Sequence, residues 1–317
     1  MTANWVPDAE LPGYEQCSID LPDQPTYGLE PEGSLVATVV RRGAPSSGRA
    51  VLYVHGWNDY FFQTHLADAM AALGYDFYAL DLRRYGRSLR PGQLAGYIAD
   101  LADYFVELDA AVDIITGEGH ADLVLMGHST GGLTSALYAH ERPGTFSGVV
   151  LNAPWLEAHG NTLLRPAMSA AGAVAPTTVL PLGETGFYRR SLSSSEEGEW
   201  TYNLNLKGDP AFRARFGWLA AISNGHARVA EGLQIDCPVL VAISKRSLFS
   251  KVWGEEQQLA DIVLDVELIA ARAPKLGDNV TIVRVPDAMH DLTLSSEAVR
   301  AVVFEEFGRF IRCYAQR

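Results

Sequence analysis

Seven short apolar runs, separated by helix-patterned stretches, constrain the fold of this chain more than any other feature. They are Leu35–Val40, Ala50–Val54, Tyr75–Leu80, Asp122–Met126, Gly148–Leu151, Pro238–Ile243 and Val280–Val285. Runs this short and continuous read as strands buried on both faces, because a strand with one wet face alternates polar and apolar residues. Between them, Tyr97–Ile115 carries Tyr97, Leu101, Phe105, Leu108, Val112 and Ile115 at steps of three and four. Asp100, Asp103, Glu107, Asp109 and Asp113 fall mostly off that stripe, as on a helix laid against a sheet. Strand–helix alternation with short joins implies right-handed crossovers and a mostly parallel sheet, so the expected class is α/β. Residues 1–30, rich in Pro and Gly, are expected to wrap over the surface.

From Trp155 to Leu233 the strand signal stops. This stretch holds Pro166, Pro176, Pro181, the run Ser191–Ser195 and the aromatics Phe187, Tyr188, Trp200, Tyr202, Phe212, Phe216 and Trp218. A structureless connection of that length is uncommon inside a compact domain. The expected organisation is therefore a core of residues 1–154 and 234–317 with a helical cap, 155–233, over one edge of the sheet. Pro166–Gly183 is the longest uncharged stretch, but its prolines make it a poor membrane span and a candidate lid.

The formal charge is −13, from 25 Lys and Arg against 38 Asp and Glu. Nucleic-acid and anionic-lipid partners need clustered Lys and Arg, so neither is expected. Cys17, Cys237 and Cys313 have no CxxC spacing and read as free thiols of a reducing cytoplasm. Met1–Gly13 has no basic n-region or apolar h-region, which also points to a cytoplasmic protein without stable membrane insertion. No HExxH or clustered His/Cys ligand pattern occurs, so no metal or cofactor is expected. Oligomeric state is not legible.

The sharpest motif is Leu123–Met126, then Gly127-His128-Ser129-Thr130-Gly131, then Gly132–Ala139: strand, GxSxG, helix. A serine hydroxyl is a weak nucleophile and must stand where a base can reach it. A tight strand-to-helix turn does this, with glycines where side chains would collide. The helix that follows turns its unpaired N–H groups toward developing negative charge. Ser129 is the expected nucleophile.

Val51–Val54 runs into His55-Gly56-Trp57, where a hydrolase of this order supplies its first oxyanion donor. The backbone N–H groups of Trp57 and Thr130 are the expected oxyanion hole. His55, Gly56 and His128 are placed in the substrate site. His55 and His128 act there through packing and hydrogen bonding, not as bases. Arg83 and Arg87 either tie neighbouring loops together or are solvated. His290, on the loop after the last run and before a helix at Ser296–Ile311, is the expected base. Its acid should follow Pro238–Ile243, but Ser244-Lys245-Arg246-Ser247 offers no carboxylate. Asp261 is preferred for its spacing from His290. Asp265 remains open, with a competing role as the cap of a helix at Val266–Ala273, and Glu157 is a further alternative.

The order Ser129, Asp261, His290 resembles the α/β-hydrolase superfamily. More narrowly, the chain is similar to the serine aminopeptidase-like hydrolases that include monoacylglycerol lipases and lysophospholipases. The resemblance rests on His55-Gly56, Asp81 with Gly86-Arg87-Ser88, Gly127–Gly132, Asp261 with Val263-Leu264-Asp265, and His290-Asp291. It implies an α/β-hydrolase fold. It also implies a small-molecule acyl ester substrate with a lipid-like or medium acyl chain, cleaved through an acyl-enzyme on Ser129. An acyltransferase, an amidase or peptidase, and a non-catalytic ligand-binding protein are the competing functions. The chain departs from the family where a glycine shortly before the acid is replaced by the intervening Ser244–Leu259. It departs again where Trp57 follows His-Gly in place of a smaller residue.

Overall fold

The structure is a computed structural model that describes residues 3–180, 186–208 and 211–315. Pro181 and Gly183, part of the proline-bearing stretch noted above, lie outside the described residues. In chain order the elements begin with β1 (Val6–Pro7), β2 (Glu15–Asp20), β3 (Val36–Arg41), β4 (Arg49–Val54), α1 (Thr64–Ala72) and β5 (Asp76–Asp81). They continue with α2 (Phe105–Gly117), β6 (Asp122–His128), α3 (Ser129–Glu141), β7 (Gly148–Asn152), α4 (Asn161–Val174), α5 (Phe187–Leu192) and α6 (Phe216–Glu231). The chain closes with β8 (Val239–Ser244), α7 (Val266–Arg272), β9 (Val280–Val285) and α8 (Glu297–Tyr314). This is a mostly parallel sheet flanked by helices, the α/β class expected from the sequence.

Two compact units make up the chain. Met1–Leu123, Thr162–Leu180 and Asn203–Gly225 form one; Val124–Asn161, Pro181–Tyr202 and His226–Arg317 form the other. The segment 155–233 carries α4, α5 and α6 and contributes to both units.

In the first unit β4 pairs with β5 in parallel, while β1–β2, β2–β3 and β3–β5 are antiparallel. The N-terminal residues therefore do more than wrap the surface, because β2 pairs along its whole length with β3. Its sequence, EQCSID, leaves only Cys17 buried, so it lacks the continuous apolar run that marks an inner strand.

The helix expected at Tyr97–Ile115 starts later. Asp100 accepts a hydrogen bond from the Ala102 N–H at 2.9 Å, capping a 3-10 turn at Leu101–Tyr104 that leads into α2. Glu107, assigned off the buried stripe, is fully buried because it pairs with Arg83, whose Nε donates to Oε2 at 2.7 Å. Burial pushes the Glu107 carboxyl up, opposed by the Arg83 charge. Arg84 pairs with Glu30, and Arg87 with Asp8 and Asp81, so this arginine cluster ties loops together.

In the second unit β6, β7, β8 and β9 pair in parallel in that order. Every residue of β6, β7 and β8 is buried, as their apolar runs predict. β9 is different: Ile282 is 37% exposed, as befits a strand that pairs with β8 alone among the described residues. Helix α8 buries Val303, Phe307, Phe310 and Ile311, spaced at three and four residues. Among the described residues, no helix is long and apolar enough to cross a membrane.

Candidate active site

At the carboxyl end of β6 the chain turns directly into α3, and Ser129 sits at the turn with φ of 53°. A non-glycine residue in the left-handed region is strained and persists only where its surroundings hold it. The turn before it is crowded. A Cβ on Gly127 would lie 2.5 Å from Ser135 Oγ and 2.7 Å from the Gly131 carbonyl oxygen. The Ser129 carbonyl also accepts a hydrogen bond from the Trp155 N–H at 2.9 Å. Thr130 follows in the first turn of α3, where backbone N–H groups lack intrahelical partners.

His290 lies on the loop after β9, and the loop is pinned in several places. The Met289 N–H donates to Ser295 Oγ, and Asp291 accepts from the Thr293 N–H and hydroxyl. Asn152, at the end of β7, donates to Asp291 Oδ1 at 2.7 Å and accepts from the Leu292 N–H at 3.1 Å. Burial alone would raise the Asp291 carboxyl. The nearby His128 and the bonds from Thr293 and Asn152 outweigh that and hold it below the usual carboxylate range.

His290 Nε2 is 3.0 Å from Ser129 Oγ, and His290 Nδ1 is 2.9 Å from Asp261 Oδ2. All three side chains are buried, with Asp261 at 0% exposure. The other Asp261 oxygen, Oδ1, accepts from the N–H groups of Val263 and Leu264, each at 2.8 Å. Asp265 is engaged elsewhere: it caps α7 through the Glu267 N–H and pairs with His159. Glu157 pairs with Arg272.

The distance in sequence between β8 and Asp261 has a structural explanation. After β8 the chain loops out and returns, so that Asp261 pairs in parallel with Ser247. The Leu248 N–H donates to the Asp261 carbonyl, and the Asp261 N–H donates to the Arg246 carbonyl. Asp261 thus stands beside the end of β8, although many residues separate them along the chain.

His128 bonds the end of the neighbouring strand. Its Nδ1 bonds the Asn152 carbonyl at 3.1 Å, and its ring lies 4.9 Å from that of His290. In the first unit, His55 donates from Nδ1 to the Gly56 carbonyl at 2.8 Å and accepts at Nε2 from the Leu82 N–H at 3.1 Å. Both ring nitrogens are used by backbone, which fixes the loop that Gly56 and Trp57 occupy. The Trp57 ring lies 3.9 Å from that of Trp218 and 6.0 Å from that of Phe212.

Some contacts around these residues have no signal in the sequence. The Tyr188 ring, from α5, meets that of His290 edge-on at 5.5 Å. His226, on α6, bonds the Trp155 carbonyl through Nε2 at 2.9 Å, while Nδ1 is buried with no partner among the described residues. Burial lowers the His226 pKa to about 4, so the ring is neutral near pH 7 and Nε2–H is the donor.

Residues 45–293 match the family described as serine aminopeptidase, S33. The chain belongs to this family of α/β hydrolases. A monoacylglycerol lipase of Mycolicibacterium smegmatis is 32% identical over 112 residues, which cover 34% of this chain and 39% of that protein. The chain therefore spans well under half the length of that relative. A soluble variant of monoglyceride lipase from Saccharomyces cerevisiae, solved with a substrate analog, superposes with a TM-score of 0.64 at 17% identity. The superposition covers 88% of this chain and 92% of that one. Monoacylglycerol lipase from Paleococcus ferrophilus gives a TM-score of 0.59 at 19% identity, covering 84% and 96%. At these identities the likeness to the solved structures is one of fold. Within the S33 hydrolase fold, Ser129 stands at the strand-to-helix turn and His290 on the loop after the last strand.

Proposed function

We propose that this S33-family chain is a serine hydrolase that cleaves carboxylic esters through an acyl-enzyme on Ser129. The observation that carries the reading is the buried line of Ser129 Oγ, His290 and Asp261, with contacts of 3.0 and 2.9 Å. Ser129 Oγ attacks the ester carbonyl carbon while His290 Nε2 takes its proton. Asp261 holds the tautomer with Nδ1–H facing it and stabilises the imidazolium that forms. The N–H groups of Trp57 and Thr130 receive the oxyanion, each such donor being worth roughly 3 kcal/mol in the transition state. His290 then returns the proton to the departing alcohol. Water, activated by the same imidazole, attacks the acyl carbon and releases the acid.

We assign 155–233 to a cap that holds the acyl chain, with His55, Gly56 and His128 around the reacting groups. The Tyr188–His290 contact supports a place for α5 at the site. Relatives described as monoacylglycerol lipases favour a lipid-like acyl chain. The family description, serine aminopeptidase, favours a second reading in which the same groups cut an amide. A panel of p-nitrophenyl esters from acetate to palmitate, alongside aminoacyl p-nitroanilides, separates the two. Turnover of the esters with none of the anilides is expected. Turnover confined to anilides would replace the esterase reading with the peptidase one.

A further inference from the structure

We infer that Asn58 is a positioning residue for the oxyanion loop, clasping it to the 203–218 segment. This rests on the reading of Trp57 as an oxyanion donor. Four consecutive residues of the loop each engage that segment. The Trp57 ring packs on those of Trp218 and Phe212. Asn58 Nδ2 donates to the Gly208 carbonyl at 3.3 Å, and Asn58 Oδ1 accepts from the Phe212 N–H at 2.8 Å. Asp59 forms a buried ion pair with Lys207, and the Tyr60 hydroxyl accepts from the Asn203 N–H at 2.8 Å.

Asn58 is where backbone shape and side-chain bonding meet. Its φ is 57°, in the left-handed region that asparagine tolerates better than most residues. Its two partners are a carbonyl, which needs a donor, and an N–H, which needs an acceptor. A short amide offers both; a carboxylate lacks the donor and glycine lacks both. Gly208 is matched to it, because a Cβ there would collide with Asn58 Oδ1. The segment thus acts through Asn58 to hold the turn that begins at the adjacent donor, Trp57. A loop held in this way needs no rearrangement when negative charge develops on the substrate.

The test compares wild type with Asn58→Gly, Asn58→Asp and Gly208→Ala. Asn58→Gly keeps the left-handed backbone but removes the clasp. For p-nitrophenyl butyrate, kcat is expected to fall about 30-fold with KM within about twofold, less than the about 10²–10³ lost with an oxyanion donor. Gly208→Ala, which crowds the amide from the other side, is expected to behave alike and serves if the Asn58 variants fail to fold. A folded Asn58→Gly that keeps kcat within about twofold would overturn the clasp, as would an unaffected Gly208→Ala in its place. Fluorophosphonate labelling of wild type separates this outcome from failure of the parent reading. Loss of labelling at Ser129 sinks the hydrolase, whereas normal labelling with an undiminished variant sinks only the role of Asn58.

Discussion

Asp261 divides its carboxylate between two tasks, with Oδ2 2.9 Å from His290 Nδ1 and Oδ1 accepting from the Val263 and Leu264 N–H groups. Asp265, four residues on, is spent on the cap of α7 and on His159. Asp261→Asn is therefore expected to reduce kcat by about 10⁴-fold, the scale seen for the equivalent change in a serine protease triad. Asp265→Asn should stay within severalfold of wild type. Steady-state kinetics on the two variants checks this, and the reverse ranking would move the acid to Asp265.

His226 should make stability depend on pH. Its folded pKa, about 4, lies below the ordinary value of 6.5 because burial disfavours the charged ring. Between those values the unfolded chain binds the proton and the folded chain does not, so stability falls as the pH drops from about 7 toward 4. The full effect is about 3 kcal/mol, and urea melts should show His226→Gln with a flatter profile across that window. An unchanged slope would remove His226 as its source. His226 also supports the Trp155 peptide, which bonds the Ser129 carbonyl, so the same variant should slow turnover.

The buried Arg83–Glu107 pair should behave asymmetrically. Glu107→Leu or Arg83→Met alone leaves the partner buried without its counter-charge, a loss of about 3–5 kcal/mol. Arg83→Met combined with Glu107→Leu should recover much of it, because the desolvation cost of both charges disappears. Chemical denaturation of the four-member cycle reads the coupling; additive losses would mean that the pair is not coupled.

Gly127→Ala should disable the nucleophile turn. The new methyl group meets Ser135 Oγ at 2.5 Å and the Gly131 carbonyl at 2.7 Å, so the turn or the helix start must shift. Overpacking of this kind costs about 1–3 kcal/mol, and Ser129 moves with it. Thermal melts and turnover together check this; a variant with wild-type kcat would show that the turn tolerates a side chain.

Much of this was legible because local physics and the global fold agree. Continuous apolar runs gave β3 to β9, and the strand–GxSxG–helix pattern located Ser129 in its left-handed turn. β1 and β2 were missed because a pairing strand with wet residues carries no apolar run. Glu107 was misplaced because charge pairing overrode the hydrophobic stripe. Asp261 and Asp265 were legible only as a choice between neighbours. What brings Asp261 to β8 is a long excursion and return whose bonds, Leu248 to Asp261 and Asp261 to Arg246, are made by backbone and leave no mark on side-chain pattern. The contacts of Asn152, Tyr188 and His226 join residues far apart in sequence and have no local signature.

The central claim is that Ser129 is an activated nucleophile served by His290. Intact-mass spectrometry after treatment with a fluorophosphonate tests it most directly, with peptide mapping and the Ser129→Ala and His290→Ala variants in parallel. The expected result is one adduct per chain, mapped to Ser129, absent from Ser129→Ala and strongly slowed in His290→Ala. No adduct on folded wild type, or an adduct retained by Ser129→Ala, would contradict it.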